Sequence, residues 1–119
     1  MYAAGYLESS LSWPQIFDNV LNINNYYFGN NQPTEMLNSP ISLEISRHLR
    51  NHYPKIVEFF QNQSRWTYEQ IQSNPNDEGW ETINLIQLQF QGIVDGYGAS
   101  CSTDKQLDLL QFQVCYIVC

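Results

Sequence analysis

The sequence predicts a mainly α-helical segment closed by one C-terminal strand. Three observations carry that expectation. Between Tyr2 and Tyr97 apolar residues recur at three- and four-residue spacings, the period of an amphipathic helix. Ser39-Pro40 and Asn74-Pro75 punctuate that run where helices start and stop. From Gln106 to Cys119 the pattern becomes a loose alternation of β-formers, with Phe112, Val114, Tyr116 and Val118 on one parity. At 119 residues the chain has room for one domain at most.

The elements follow in order. Tyr2, Ala3, Tyr6, Leu7 and Leu11 share one face of a first helix. Ser12 has the character of an N-cap, with Pro14 in the first turn and Gln15 at the capping-box position. The second helix then runs from Trp13 to about Tyr27 and buries Ile16, Phe17, Val20, Ile23 and Tyr27. Gly29 to Pro33 stops it. A third run opens at Ser39-Pro40 with the stripe Ile41, Ile45, Leu49, and Pro54 imposes a break near His52. A fourth helix spans Pro54 to Ser73. Asn74-Pro75-Asn76-Asp77 forms a turn, with Asp77 capping the next helix. That helix carries Trp80, Ile83, Ile86, Phe90, Ile93 and Tyr97, and Gly96 and Gly98 are expected to end it. A strand over residues 106–119 is left without a partner, which is an odd inventory for a self-contained domain.

Composition narrows the function classes. Five Lys+Arg face 12 Asp+Glu, for a net charge of −7. That balance opposes binding to nucleic-acid phosphates or anionic membrane surfaces, both of which need clustered cations. Charged residues reach only 14%, and Asn, Gln and Ser (12, 12 and 10 copies) supply the polarity instead. No stretch approaches the about 20 apolar residues of a transmembrane helix. The N-terminus has neither the basic region nor the apolar core of a signal peptide.

Few residues carry chemistry. Cys101, Cys115 and Cys119 form no CxxC and read as structural thiols. Glu44, His48 and His52 line one helical face at four-residue steps, but zinc needs more ligands, so the expected metal and cofactor content is none. Asp77, Glu78 and Glu81 beside Trp80 suggest paired carboxylates, yet a helix start attracts such residues through its dipole. The stripe Trp80, Phe90, Tyr97 reads as core packing. Asn62-Gln63-Ser64 is the one glycosylation sequon, making Asn62 a candidate glycan site in a secretory protein.

Three stretches resemble the phospholipase B-like family, the lamina-ancestor-type proteins. They are YAAGYLESSLS at Tyr2 to Ser12, NPNDEGW at Asn74 to Trp80 after Gln70-Ile71, and QLQFQGIVDGY at Gln87 to Tyr97. The first departs from the family pattern at Ser9, where glycine is usual. The resemblance is strongest over residues 2–97, and it marks 1–119 as a partial phospholipase B-like domain with a divergent tail at 106–119. It implies part of an α/β four-layer αββα N-terminal nucleophile hydrolase. In that family a self-cleaved precursor exposes a cysteine thiol as nucleophile, with its own α-amine as base. The implied activity is removal of acyl chains from phospholipids, in a lysosomal or secreted glycoprotein. Cys101-Ser102 invites assignment as the nucleophile, but Cys101 lies only four residues after Tyr97 and precedes Thr103-Asp104-Lys105, where the family has an apolar strand. Cys101 is therefore disfavoured and no catalytic residue is assigned.

By this reading the chain is a hydrolase fragment whose nucleophile lies elsewhere. Its partners would be the remainder of the domain and, for the intact parent, a phospholipid. The alternative is a non-catalytic helical interaction module whose tail strand augments a partner's sheet. Either way the uncharged tail LLQFQVCYIVC, free of Pro and Gly, is expected to be an aggregation-prone edge.

Overall fold

The computed structural model describes residues 1–28, 47 and 49–118. Helix α1 spans Tyr2–Phe28 and joins the two expected N-terminal helices across a kink at Ser12, where φ is −117° and ψ is 16°. Ser12 is not a cap. Its hydroxyl donates back to the Glu8 carbonyl at 2.6 Å. Pro14 offers no N–H to the turn behind it, and the helix bends there without ending.

The third expected run lies mostly outside the described residues. Its last turn, 49–52, is helical and breaks at Tyr53, as Pro54 demands. Helix α2 spans Pro54–Ser73 with proline in its first turn. The Asn74 side-chain amide donates to the Gln70 carbonyl at 2.8 Å, and Asp77 then caps helix α3, Glu78–Ser100. The Asp77 carboxylate accepts the Trp80 N–H at 3.0 Å, the role expected of it. Helix α3 does not stop at Gly96 or Gly98. It continues to Ser100, and the Cys101 N–H closes it on the Tyr97 carbonyl at 2.9 Å. No described glycine has positive φ, so neither ends the helix; Gly96 serves packing, whereas Gly98 has no close neighbour.

The tail overturns the expected fold class. Residues 109–118 are helix α4, Leu109–Val118, after a 3₁₀ turn at Thr103–Lys105, and no strand occurs among the described residues. The four-layer αββα arrangement is therefore absent from them, and strand augmentation of a partner loses its strand. The physical reason is a reciprocal cap. Gln111 N–H donates to the Asp108 carboxylate at 3.1 Å, while Asp108 N–H donates to the Gln111 side-chain oxygen at 3.0 Å. Alternation was misleading because α4 is buried on more than one side, with Leu110, Phe112, Val114 and Cys115 all in the interior. Residues 112 and 114 would share a face on a strand. On a helix they stand about 200° apart, and they enter different cores.

Those cores are small and flank α4. Leu110 and Val114 pack with Leu49 and Phe60, whereas Phe112 packs with Phe17, Ile93 and Tyr97. Leu21 of α1 touches both. Phe17 and Val20 are buried as expected, with Ile16 and Ile23 half-buried. The expected apolar face at the start of α1 is instead open: Leu7 is 61% exposed and Leu11 is 77% exposed. Gly5 and Ser9 occupy the buried side. The reason lies in the α1–α3 crossing.

Candidate functional site

Helices α1 and α3 run in the same direction and meet through small residues. Gly5 lies against the backbone of Gln89 and Ile93, Gly92 against Tyr2 and Tyr6, and Gly96 against Tyr6 and Ser9. A Cβ on Gly92 would sit 2.9 Å from the Tyr6 nitrogen and overlap the Tyr2 carbonyl. One on Gly96 would overlap the Tyr6 carbonyl and the Ser9 hydroxyl. The rim is pinned by the Tyr2 hydroxyl, which donates to Asp95 at 2.7 Å, and Gln91 holds the other Asp95 oxygen at 2.9 Å. The sequence carried a signal for this contact: small residues recur four apart in Gly5…Ser9 and Gly92…Gly96, one face of each helix.

Above the crossing stands an aromatic box. Tyr97 is fully buried, edge-on to Trp13 at 6.4 Å and to Phe112 at 5.3 Å between ring centroids. Its hydroxyl donates to the Lys105 carbonyl at 2.7 Å and so satisfies the one polar atom of the ring. Lys105 turns its ammonium over Phe17 and Trp13, 5.2 and 5.7 Å from the ring centres. Gln106 donates to the Gly98 carbonyl at 3.0 Å. Together these contacts tie the connection 101–108 down onto α1 and α3. The sequence reading placed Tyr97 in the core but missed Trp13, which is distant in the chain, and Lys105, which lies beyond the helix end and shares no periodicity with it.

Cys101 sits half-buried at the end of α3. Burial pushes its thiol pKa up, its own backbone N–H opposes that, and nearby Asp104 raises it further. A thiol held protonated is a weak nucleophile. Burial likewise drives the Tyr97 phenol well above its ordinary range, with Cys101 adding to the shift. The Tyr2 phenol is also raised, first by its hydrogen bond to Asp95. These are groups whose protonated forms are favoured by folding. Their stabilisation is complete below the unfolded pKa values, near 9 for Cys and 10 for Tyr, and is lost as pH rises through the higher folded values. Denaturation midpoints should therefore hold steady up to about pH 9 and fall in more alkaline buffer. Tyr97→Phe should flatten that fall while lowering neutral stability by about 1 kcal/mol for the lost hydrogen bond. An alkaline limb equally steep in the variant would assign the effect to other groups.

The remaining candidates are scattered. Glu44 and His48 lie outside the described residues, and His52 is exposed at the end of its turn. Among the described residues no three His, Cys, Asp or Glu side chains come together as a metal site. No described helix is long and apolar enough to cross a membrane. Asn62 is exposed on α2, and the sequon's Ser64 hydroxyl accepts a hydrogen bond from Gln113 at 3.2 Å. Trp80 does not stack with Phe90 and Tyr97. It meets Trp66 edge-on at 5.7 Å across the α2–α3 seam.

Comparison with known proteins agrees with the motifs that meet at this crossing. The family model described as Phospholipase B matches residues 1–119. The chain is 34% identical over 112 residues to phospholipase B-like protein C of Dictyostelium discoideum, covering 92% of this chain and 16% of that protein. It is 27% identical over 117 residues to phospholipase-B 81 of Drysdalia coronoides, covering 98% and 18% respectively. It is 26% identical over 119 residues to putative phospholipase B-like 2 of Homo sapiens, covering 95% and 18%. The chain thus spans less than a fifth of the length of these relatives. No solved structure matches it.

Proposed function

Because the chain belongs to the phospholipase B family, we propose that residues 1–119 are a helical scaffold within a hydrolase that removes acyl chains from phospholipids. One observation supports this reading above the others. Two of the three family-like stretches, Tyr2 to Ser12 and Gln87 to Tyr97, are the two sides of the glycine crossing, and the third forms the Asp77-capped entry to the same helix α3. The residues that mark the family here build architecture. The buried, hydrogen-bonded Tyr97 and the proton-retaining Cys101 thiol offer no activated nucleophile or base.

In this proposal 1–119 is a partial phospholipase B-like domain and the nucleophile lies outside it. The partner of the exposed apolar residues Leu7 and Leu11 on α1 and Leu85 and Ile86 on α3 is the remainder of the hydrolase. The parent protein is lysosomal or secreted, and Asn62, exposed and away from both cores, carries its glycan. The test is fatty-acid release from phosphatidylcholine vesicles by the purified 119-residue chain, alongside Cys101→Ala. Neither protein should show turnover above the vesicle blank. Turnover that disappears in Cys101→Ala would make Cys101 the nucleophile and overturn the scaffold reading.

A further inference from the structure

Apolar side chains close the seam between α2 and α3 only in part, at the Trp66–Trp80 contact. Where two helices pack, the stripe each presents to the other is ordinarily apolar. Here α2 contributes Ser64, Thr67, Tyr68 and Ile71, while α3 contributes Asn84 and Gln87, and these line a recess of about 100 Å³. The recess shares Ile71 and Asn84 with a wider cleft of about 310 Å³, bounded by Gln72, Asn74, Trp80 and Glu81. The result is one open groove with an aromatic wall. That wall is braced, since Trp66 meets Trp80 edge-on at 5.7 Å. The Asn74 side-chain N–H₂ is held by the Gln70 carbonyl at 2.8 Å, which orients an amide that lines the cleft.

We propose that this groove is a binding site for a neutral saccharide. Its chemistry selects against the other small-molecule classes. No Lys, Arg or His lines either part of it, so a phosphate or other anion would meet Glu81 without a counter-charge. Apart from the Trp80 wall, Ile71 and Pro75 are the only apolar residues lining the wide part, too little to enclose an acyl chain. What the groove offers is a flat indole beside amides, hydroxyls and one carboxylate. The indole covers the C–H face of a sugar ring, and the amides and carboxylate pair with its hydroxyls in both donor and acceptor senses. The site is separate from the Tyr97 box and requires no acyl-chain chemistry.

The experiment is ¹⁵N NMR of the 119-residue chain titrated with triacetylchitotriose and with maltotriose. The three tryptophans give three indole signals, and Trp13, in the box beside Tyr97, serves as the internal control. At least one of the two sugars should move the Trp80 and Trp66 signals saturably while Trp13 stays in place. Asn84→Ala, an exposed substitution away from both cores, should weaken that response by about tenfold or more without shifting the thermal midpoint. In Trp80→Phe the response, followed on the remaining Trp66 signal, should weaken as well. Absence of saturable shifts with both sugars overturns the proposal, as does an unchanged response in Asn84→Ala. Saturable movement of Trp80 by glycerophosphocholine instead would reassign the groove to a lipid headgroup and equally overturn it.

Discussion

Gly92→Val and Gly96→Val are expected to cost about 3 kcal/mol or more each. Inserting bulk into a core usually displaces flexible side-chain ends, which limits the penalty. At these positions the atoms in the way are the Tyr2 and Tyr6 backbones, fixed by α1's own hydrogen bonds. The only relief is separation of the two helices, which would also pull Trp13 off Tyr97 and Tyr2 off Asp95. A domain of this size holds about 5–15 kcal/mol in all, so either variant should lose most of its cooperative unfolding. Gly98→Ala is the internal contrast. Its Cβ would meet only the Gln106 side-chain oxygen at 3.6 Å, an ordinary contact, and should stabilise the helix by about 0.5–1 kcal/mol. Urea denaturation followed by circular dichroism separates the cases. Equal stability of Gly96→Val and Gly98→Ala would show that the close crossing is not what holds α1 to α3.

The second large effect concerns α4. Phe112 has no exposed surface and lies edge-on to Tyr97. Phe112→Ala should therefore cost about 3–5 kcal/mol from lost burial and the cavity left behind, lowering the thermal midpoint by more than about 10 °C. Leu109, half exposed on the same helix, is the control, and Leu109→Ala should stay within about 0.5 kcal/mol. The Arg50–Asp108 ion pair at 3.4 Å cannot compensate, because its side chains are 56% and 37% exposed and such partly solvated pairs contribute below about 1 kcal/mol. Deleting residues 106–119 removes the side chains that join both cores. The shortened chain should lose its sharp transition and bind hydrophobic dyes. A shortened chain that melts cooperatively and stays monomeric would restore the tail to the role expected from its composition, an exposed edge that the fold does not need.

Local signals and tertiary contacts divided the determination of this structure between them. Pro54 and Asp77 set the starts of α2 and α3, and Asn74-Pro75 the turn between them, because caps and proline act within a few residues of chain. The family motifs were legible for the same reason, being contiguous runs of residues. The Asp108…Gln111 cap was equally local and equally readable, but the β-rich composition after it argued more loudly and for the wrong structure.

Other features had no local cause. Whether Gly96 ends a helix or admits a neighbour depends on what lies opposite, and only the approach of Tyr6 and Ser9, some ninety residues away, decided it. The open face of α1 follows from the same contact. A helix pressed to backbone distance by Gly5 and Ser9 must turn Leu7 and Leu11 outward, whatever their hydropathy. The tail became a helix because its apolar residues found partners on two sides, Leu49 and Phe60 on one and Phe17 and Tyr97 on the other. A helix can serve two cores at once, whereas a lone strand would leave its backbone unpaired.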